Sequence, residues 1–262
     1  MPITLEPFQE PPLCSGYQWL LRDEEKLSIC VAFLVAGYYQ HVARILSPAE
    51  TPPTPNLGSS AIDAAIAKIQ DSNHWHRDGW LFQMISWIAA QLATGGKTPT
   101  SAPQPRPADK GLDGLIIELS SDSASASAVV ICEDKATNNP RQTIRSEVWP
   151  ELDEFETGRR DNELVSEVTS VLRTYALAQA KVQRIIEQIY WQDQRHYRVS
   201  ITVDQCHDDH GGRQRLFAGY DVHVAGDLVR RRAETVHIPE LRAWLERFAH
   251  KVIARLSDLR EP

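Results

Sequence analysis

Lys110-Gly-Leu-Asp-Gly-Leu-Ile-Ile-Glu118, followed by Val129-Val-Ile-Cys-Glu-Asp-Lys135, is the stretch that decides the predicted fold. Both segments contain apolar runs typical of buried strands, and a segment rich in Ser, Ala and Asp separates them. A polar segment between two such runs predicts an antiparallel hairpin. In an antiparallel pair, one step forward on one strand is one step back on the other, so a turn centred near Ser123 places Asp113 opposite Glu133.

This register brings three charged side chains together. Facing Cβ atoms on antiparallel strands lie roughly 4.5–5.5 Å apart, a distance at which the carboxylates of Asp113 and Glu133 can share one divalent cation. Lys135 lies two residues beyond Glu133 and therefore on the same face of the strand, whereas Asp134 points to the other face. The sequence thus predicts a metal site formed by Asp113 and Glu133, with an ammonium group beside it.

Length and composition are those of an ordinary globular protein. The chain has 262 residues, of which 42% are hydrophobic and 24% are charged, so it can bury a substantial core. No apolar run reaches the roughly 18–20 residues of a membrane span, and the N-terminus lacks the pattern of a signal peptide. The 4 scattered cysteines are expected to be free thiols in a reducing cytoplasm. A net charge of −7 argues against non-specific coating of nucleic acid but leaves a locally basic nuclease site open.

The remaining pattern predicts a single α/β domain over residues 1–262, with a mixed sheet flanked by helices. Apolar residues at spacings of three and four predict a helical N-terminal layer over residues 1–96, and its last helix, 74–93, is apolar almost all round. Residues 97–262 are expected to form the α/β core with a C-terminal helix.

Two further segments complete the predicted order of elements. Residues 197–203 alternate with a period of two and residues 217–224 do so more loosely, which predicts a second hairpin joined by the turn at Gly211-Gly212. Residues 162–190 carry a continuous apolar seam in steps of four and three. That seam predicts one long helix, or two helices stacked end to end.

The arrangement of Asp113, Glu133 and Lys135 on adjacent apolar strands resembles the PD-(D/E)xK nuclease superfamily, with Leu112 in place of the proline. The resemblance covers residues 74–148 and implies a restriction-endonuclease-like core. It also implies hydrolysis of DNA phosphodiester bonds with Mg²⁺ or Mn²⁺. On this resemblance Asp113 and Glu133 are the metal ligands and Lys135 is the catalytic lysine.

The resemblance also implies a biological setting. Many members of the superfamily belong to restriction or phage-defence systems, so a cytoplasmic bacterial defence nuclease is expected, with DNA as its partner and RNA not excluded. Gly96-Lys97-Thr98 matches only the end of a phosphate-binding loop, in the wrong context. An ATPase or helicase would therefore be a separate partner protein. No membrane partner is expected, and a homo-oligomer remains open.

Other residues have two interpretations each. Arg141 and Arg145 lie four residues apart on the helix predicted after the hairpin, where they could bind a phosphate of nucleic acid or be solvated surface arginines. Gln83 is a polar residue in an apolar helix. It is either a residue of the site or a core amide that forms a hydrogen bond with a backbone group. The segment 204–210, Asp-Gln-Cys-His-Asp-Asp-His, is rich in metal-ligand types, but a polar hairpin loop explains it better.

The nuclease hypothesis has a structural and a functional alternative. Acidic-x-Lys segments at strand ends are often solvated edges or surface ion pairs. The facing register with Asp113, the uncharged run 129–132 and the preceding helix favour a nuclease site instead. The functional alternative is a catalytically inactive relative that binds nucleic acid, or that holds a partner through the seam of residues 162–190.

Overall fold

A computed structural model of the chain describes residues 1–47, 53, 55, 57–96, 98–108, 111–120, 125–175, 177–190 and 192–260. A π-helical turn, Ile144–Val148, joins two of the helices. In chain order the strands and α-helices are β1 (Ile3–Glu10), β2 (Cys14–Leu21), α1 (Glu24–Val35), α2 (Tyr39–Leu46), α3 (Ser59–Gln70), α4 (His74–Thr94), β3 (Gly114–Leu119), β4 (Ala126–Lys135), α5 (Pro140–Thr143), α6 (Trp149–Glu156), α7 (Asp161–Thr174), α8 (Gln179–Ile189), β5 (Arg195–Val203), α9 (His210–Leu216), α10 (Tyr220–His223), β6 (Arg231–His237) and α11 (Leu241–Asp258).

The strands form one 6-stranded mixed sheet in the order β1-β2-β6-β5-β4-β3. The inner strands β2, β6, β5 and β4 are parallel to one another, and the outer strands β1 and β3 are antiparallel to their neighbours. Every residue of β5 is buried, as expected for a parallel strand with both faces covered. The sequence prediction of a mixed α/β sheet flanked by helices is confirmed.

Helices cover both faces of the sheet, and the buried residues form two large core clusters besides a small one of Ala90, Ile116, Ala128, Val130 and Cys132. One cluster joins residues of α1, α3, α4 and α11 to β1, β2 and β6, with Leu27, Trp80 and Phe248 among its fully or almost fully buried members. The other joins residues of α6, α7, α8, α9 and α10 to the odd-numbered residues of β4, such as Val129 and Ile131. No helix in the described part of the chain has the length and apolar character needed to cross a membrane.

Residues 1–21 correct the prediction of a helical layer over residues 1–96. β1 and β2 form an antiparallel hairpin, from Ile3 opposite Leu21 to Glu10 opposite Cys14, and belong to the sheet. β1 is an edge strand whose burial alternates only weakly, and it contains Pro7. Because proline is confined to edge strands and bulges, a sequence pattern with a central proline conceals such a strand.

The predicted second hairpin is also wrong. β5 pairs in parallel with β6, and residues 217–224 lie in a turn and in α10 rather than in a strand. The segment before them is helical because the Asp209 carboxylate accepts a 2.6 Å hydrogen bond from the Gly212 N–H and so caps α9. A Cβ atom at Gly212 would lie 2.4 Å from the Cys206 carbonyl oxygen. This glycine therefore serves close packing and not a hairpin turn.

The apolar seam of residues 162–190 forms two helices, α7 and α8. Leu164, Val168, Ile185 and Ile189 are fully buried in the second core cluster. These seam residues therefore pack within the chain, against the sheet face that carries the odd-numbered residues of β4. All 4 cysteines are free thiols, as the sequence predicted.

Candidate active site

The β3–β4 hairpin has the register that the sequence predicted. Gly114 pairs with Cys132 at the open end of the antiparallel ladder. Asp113 directly precedes Gly114 and Glu133 directly follows Cys132, so the two acids occupy the next facing position. They lie at the end of β4 where the parallel strands β4, β5 and β6 also finish. Open α/β sheets bind ligands at this carboxyl edge.

The Asp113 carboxylate is fixed by two hydrogen bonds. Its Oδ2 accepts from the Asp134 backbone N–H at 2.8 Å, and its Oδ1 accepts from Gln83 Nε2 of α4 at 2.5 Å. Each carboxylate oxygen has a second lone pair, so both can still bind a cation. Burial raises the pKa of Asp113 above its ordinary value, against the opposing effects of Lys135 and of the bond from Asp134. The sequence left two interpretations of Gln83, a site residue or a core amide. Its hydrogen bond to Asp113 makes it a residue of the site.

Glu133 is an acid in an unfavourable environment. Its residue surface is 3% exposed, and its Oε2 lies 3.3 Å from Lys135 Nζ. Burial first, and then the negative charge of Asp113, raise the pKa of Glu133 well above its ordinary value. Such an arrangement is costly for folding unless a cation or a proton is present.

Glu151 is a third acid of the site, which the sequence analysis missed. Its Oε2 lies 3.7 Å from Lys135 Nζ. Burial pushes the pKa of Glu151 upward, but a hydrogen bond from Glu133 and the charge of Lys135 outweigh it, so the pKa is lowered. Proline within a helical pattern usually breaks or kinks the helix, yet the chain stays helical through Pro150, from the π-helical turn into α6. That continuation is what brings Glu151 back to the end of β4.

Lys135 is a cation surrounded by acids. Its side chain is 20% exposed, so it is accessible from solvent. Burial acts to lower the pKa of Lys135, but the charges of Glu133, Asp113 and Glu151 outweigh it and raise the pKa above its ordinary value. The group is therefore an ammonium at neutral pH. It can donate hydrogen bonds and neutralise negative charge.

The donor set fits a hard divalent cation. Glu133 Oε2 and Glu151 Oε2 are buried, and each lies close to the Lys135 ammonium without a hydrogen bond of good geometry from the described residues. Carboxylate oxygens are the ligands that Mg²⁺ and Mn²⁺ prefer. Asp113, Glu133 and Glu151 do not all bring a carboxylate oxygen within 4.8 Å of the other two. An ion here would therefore use two of the carboxylates and complete its shell with water.

Asp134 belongs to the opposite face of the sheet, as predicted. Its Oδ1 accepts a 2.6 Å hydrogen bond from Ser86 Oγ of α4, and the same oxygen lies 3.8 Å from Arg198 Nη1. Arg198 in turn makes two 2.7 Å bonds to the Glu234 carboxylate. Burial raises the pKa of Asp134 to about 7, although the charge of Arg198 acts to lower it. This buried network anchors the residue whose backbone orients Asp113.

The two candidate phosphate-binding arginines differ in their surroundings. Arg141 Nη1 donates to the carbonyl oxygens of Leu216 at 2.8 Å and Ala218 at 3.0 Å, and so ties α5 to the end of α9. Arg145 is exposed, within the π-helical turn. Of the two, Arg145 is the one whose guanidinium makes no hydrogen bond or ion pair to the residues that the structure describes. Burial, and then the charge of Arg145, lower the pKa of Arg141.

The polar segment 204–210 brings Asp204, Cys206 and His207 together. Among the residues that the structure describes, this is the group of His, Cys, Asp or Glu side chains whose ligand atoms all lie within 4.8 Å. Asp204 and Cys206 are exposed, and a 2.7 Å contact joins His207 Nδ1 to Asp204 Oδ1. A polar turn after β5 accounts for these contacts, and we assign no metal to them.

No family model matches this sequence, and neither a curated protein nor a solved structure is significantly similar to it.

Proposed function

We propose that the chain is a metal-dependent nuclease that hydrolyses phosphodiester bonds of DNA. The observation that carries the proposal is the convergence of Asp113, Glu133 and Lys135 at the carboxyl edge of the sheet, with Glu133 Oε2 3.3 Å from Lys135 Nζ. Two acids and an ammonium at one edge of a sheet are groups that metal-assisted phosphodiester hydrolysis uses. The PD-(D/E)xK resemblance assigns the same residues to the same roles.

Each side chain has a role in the proposed reaction. Mg²⁺ or Mn²⁺ held by Asp113 and Glu133 would polarise the scissile phosphate and lower the pKa of a bound water. The Lys135 ammonium orients the attacking water or stabilises negative charge that develops on the phosphate. Gln83 fixes the orientation of the Asp113 carboxylate through its 2.5 Å hydrogen bond. Glu151 holds the ammonium at the edge of the site.

Electrostatics support a requirement for metal. The acids Asp113, Glu133 and Glu151 outnumber the nearby cations Lys135 and Arg160, and the whole chain carries a formal charge of −7. A phosphodiester is itself an anion, so this site repels its substrate until a divalent cation reverses the local charge. A protein with this overall charge also gains little from long-range attraction to DNA. A partner that delivers the nucleic acid therefore suits the proposal.

The biological setting is part of the proposal and comes from the resemblance alone. We infer a cytoplasmic restriction or anti-phage defence nuclease that acts with a separate ATPase or helicase. RNA is the alternative substrate, because nothing in the site selects between deoxyribose and ribose.

The test is cleavage of supercoiled plasmid and of labelled RNA by the purified chain. Each substrate is incubated with Mg²⁺, with Mn²⁺ and with EDTA. Nicked or linear DNA with either metal, and intact DNA with EDTA, is the expected result. Intact DNA and RNA under every condition, including with candidate partners, would favour the non-catalytic alternative.

A further inference from the structure

A cavity of about 670 Å³ lies beside the candidate active site. Its walls come from α2, from the C-terminal half of α4, from residues 100–105, 111 and 112, and from α7. Leu112 lines the cavity and is the residue directly before Asp113. Ligand pockets for small organic molecules have volumes of roughly 300–1,000 Å³, so this cavity is large enough for one.

The Gln91 side chain lines this cavity. Gln91 is 5% exposed as a whole residue, and neither of its amide atoms is among the buried polar atoms of the described residues that lack a partner. Gln83, on the same helix, is bonded to Asp113. An amide offers two N–H donors and one carbonyl acceptor. A ligand in the cavity therefore has the Gln91 amide within its lining as a hydrogen-bond partner.

Aromatic rings form a second part of the wall. Tyr39 and Trp87 pack edge to face with their centroids 6.4 Å apart, and both line the cavity. The Trp87 indole is held in place because its Nε1 donates a 3.0 Å hydrogen bond to the Ser101 carbonyl oxygen. Tyr175 of α7, which is 45% exposed, lines the rim. A planar ligand can pack against these rings while its edge meets the Gln91 amide.

The wall between the cavity and the catalytic residues is fixed by hydrogen bonds. Gln104 Nε2 donates to the Leu112 carbonyl oxygen at 3.1 Å, and Trp80 Nε1 donates to the Gln104 carbonyl oxygen at 2.7 Å. The segment that shapes the cavity thus also positions the residue before Asp113. A ligand in the cavity that contacts Leu112 therefore contacts the residue directly before Asp113.

We propose that this cavity binds a nucleobase. A glutamine amide can pair with the edge of a base through one donor and one acceptor, as it does with adenine in nucleic-acid recognition, and bases stack on aromatic side chains. The inference deepens the proposed function, because it makes a base of the substrate strand, or a free nucleotide, the occupant of the cavity next to the cleavage site. If the occupant is a base of the substrate strand, the inference rests on the proposed nuclease function. If the occupant is a free nucleotide, it does not.

The experiment is titration calorimetry of the full chain in EDTA, so that no cleavage occurs. The probes are the four deoxynucleoside monophosphates, a short single-stranded DNA, and the same DNA with abasic sites in place of its nucleotides. The variant Gln91→Met keeps the length of the side chain and removes its amide. The matched control is Gln70→Met, at the exposed end of α3. Tyr175→Ala, at the exposed rim, is a second variant that does not disturb the core.

We expect a monophosphate, the single-stranded DNA, or both to bind. Gln91→Met should weaken binding at least tenfold and Tyr175→Ala several-fold, whereas Gln70→Met should leave it unchanged. Removal of the bases should abolish the Gln91-dependent part of DNA binding. Binding of monophosphates identifies a free nucleotide as a sufficient ligand, and binding of the DNA alone identifies a base within a strand.

The inference is overturned if no probe binds, or if both cavity variants bind every probe as tightly as the unmodified chain. Because the titration excludes metal, the two proposals fail separately. Gln91-dependent binding by a chain that cleaves nothing keeps the cavity site and removes the nuclease. Metal-dependent cleavage without Gln91-dependent binding keeps the nuclease and removes the cavity site.

Discussion

The Asp134 backbone N–H donates a 2.8 Å hydrogen bond to the Asp113 carboxylate, across the open end of the β3–β4 hairpin. Asp134 lies between Glu133 and Lys135, so the strand that supplies two of the charged groups also orients the third. The Asp134 side chain is anchored on the opposite face by Ser86. The register of the hairpin, rather than a flexible loop, therefore sets the geometry of the candidate site.

Replacing Glu133 by glutamine should stabilise the metal-free protein. Burial and the charge of Asp113 disfavour the ionised form of Glu133, and a neutral amide of the same shape removes that repulsion. We expect Glu133→Gln to raise the free energy of unfolding in EDTA by about 1 kcal/mol, since sites arranged for function are often strained. Urea unfolding at pH 7 measures the change. A lower stability than that of the unmodified chain would show that the pair with Lys135 outweighs the repulsion.

Replacing Gln83 by leucine should weaken metal binding and catalysis without unfolding the chain. Loss of the hydrogen bond frees the Asp113 carboxylate to rotate away from the ion. Residues that orient a metal ligand typically contribute about 10–100-fold in metal affinity or activity. Cleavage rates as a function of Mg²⁺ concentration measure the effect, with Gln70→Leu as the control. Equal Mg²⁺ dependence in Gln83→Leu and the control would remove Gln83 from the site.

Replacing Arg141 and replacing Arg145 should have different effects, the first on stability and the second on DNA binding. Arg141→Ala removes the donor to two carbonyl oxygens near the end of α9, so we expect it to lower the free energy of unfolding by about 1–3 kcal/mol. Arg145→Ala should leave stability unchanged within about 0.5 kcal/mol. If Arg145 contacts a phosphate, its loss should reduce the slope of log K against log salt by about 1. Thermal unfolding and DNA binding at several salt concentrations test both expectations, and identical salt slopes would exclude the phosphate contact.

His196 should make the protein less stable in mild acid. Burial, and then the charge of Arg232, lower the pKa of His196 from 6.5 to about 4. Between these values the unfolded chain binds the proton and the folded chain does not, so this group contributes stability that is lost as the pH falls from about 6.5 towards 4. His196→Gln should flatten that part of the stability curve. The measurement is urea unfolding at pH values from 4 to 7, and an unchanged slope in the variant would contradict the assignment.

Much of the site could be predicted because it is local to one hairpin. The apolar runs define β3 and β4, and the period of two in a strand places Glu133 and Lys135 on one face and Asp134 on the other. A turn centre near Ser123 predicts the register of Gly114 with Cys132, which places Asp113 opposite Glu133. Each of these inferences uses neighbouring residues, where sequence periodicity is informative.

The features that could not be predicted depend on long-range packing. Glu151 joins the site only because the helix continues through Pro150, where the sequence pattern favours a break. β1 is hidden by its edge position and by Pro7. β6 pairs with β5 across a connection that contains two short helices, α9 and α10, whereas the loose alternation of residues 217–224 predicts a strand there. The position of Glu151, the strand β1 and the pairing of β6 all depend on tertiary contacts, which local sequence patterns do not predict.

The most direct test of the central claim compares plasmid cleavage by the unmodified chain, Glu133→Gln and Lys135→Ala in Mg²⁺. The account predicts cleavage by the unmodified chain and a loss of at least about 100-fold in both variants, with each variant soluble and folded by circular dichroism. Full cleavage by a folded Lys135→Ala or Glu133→Gln protein would contradict it.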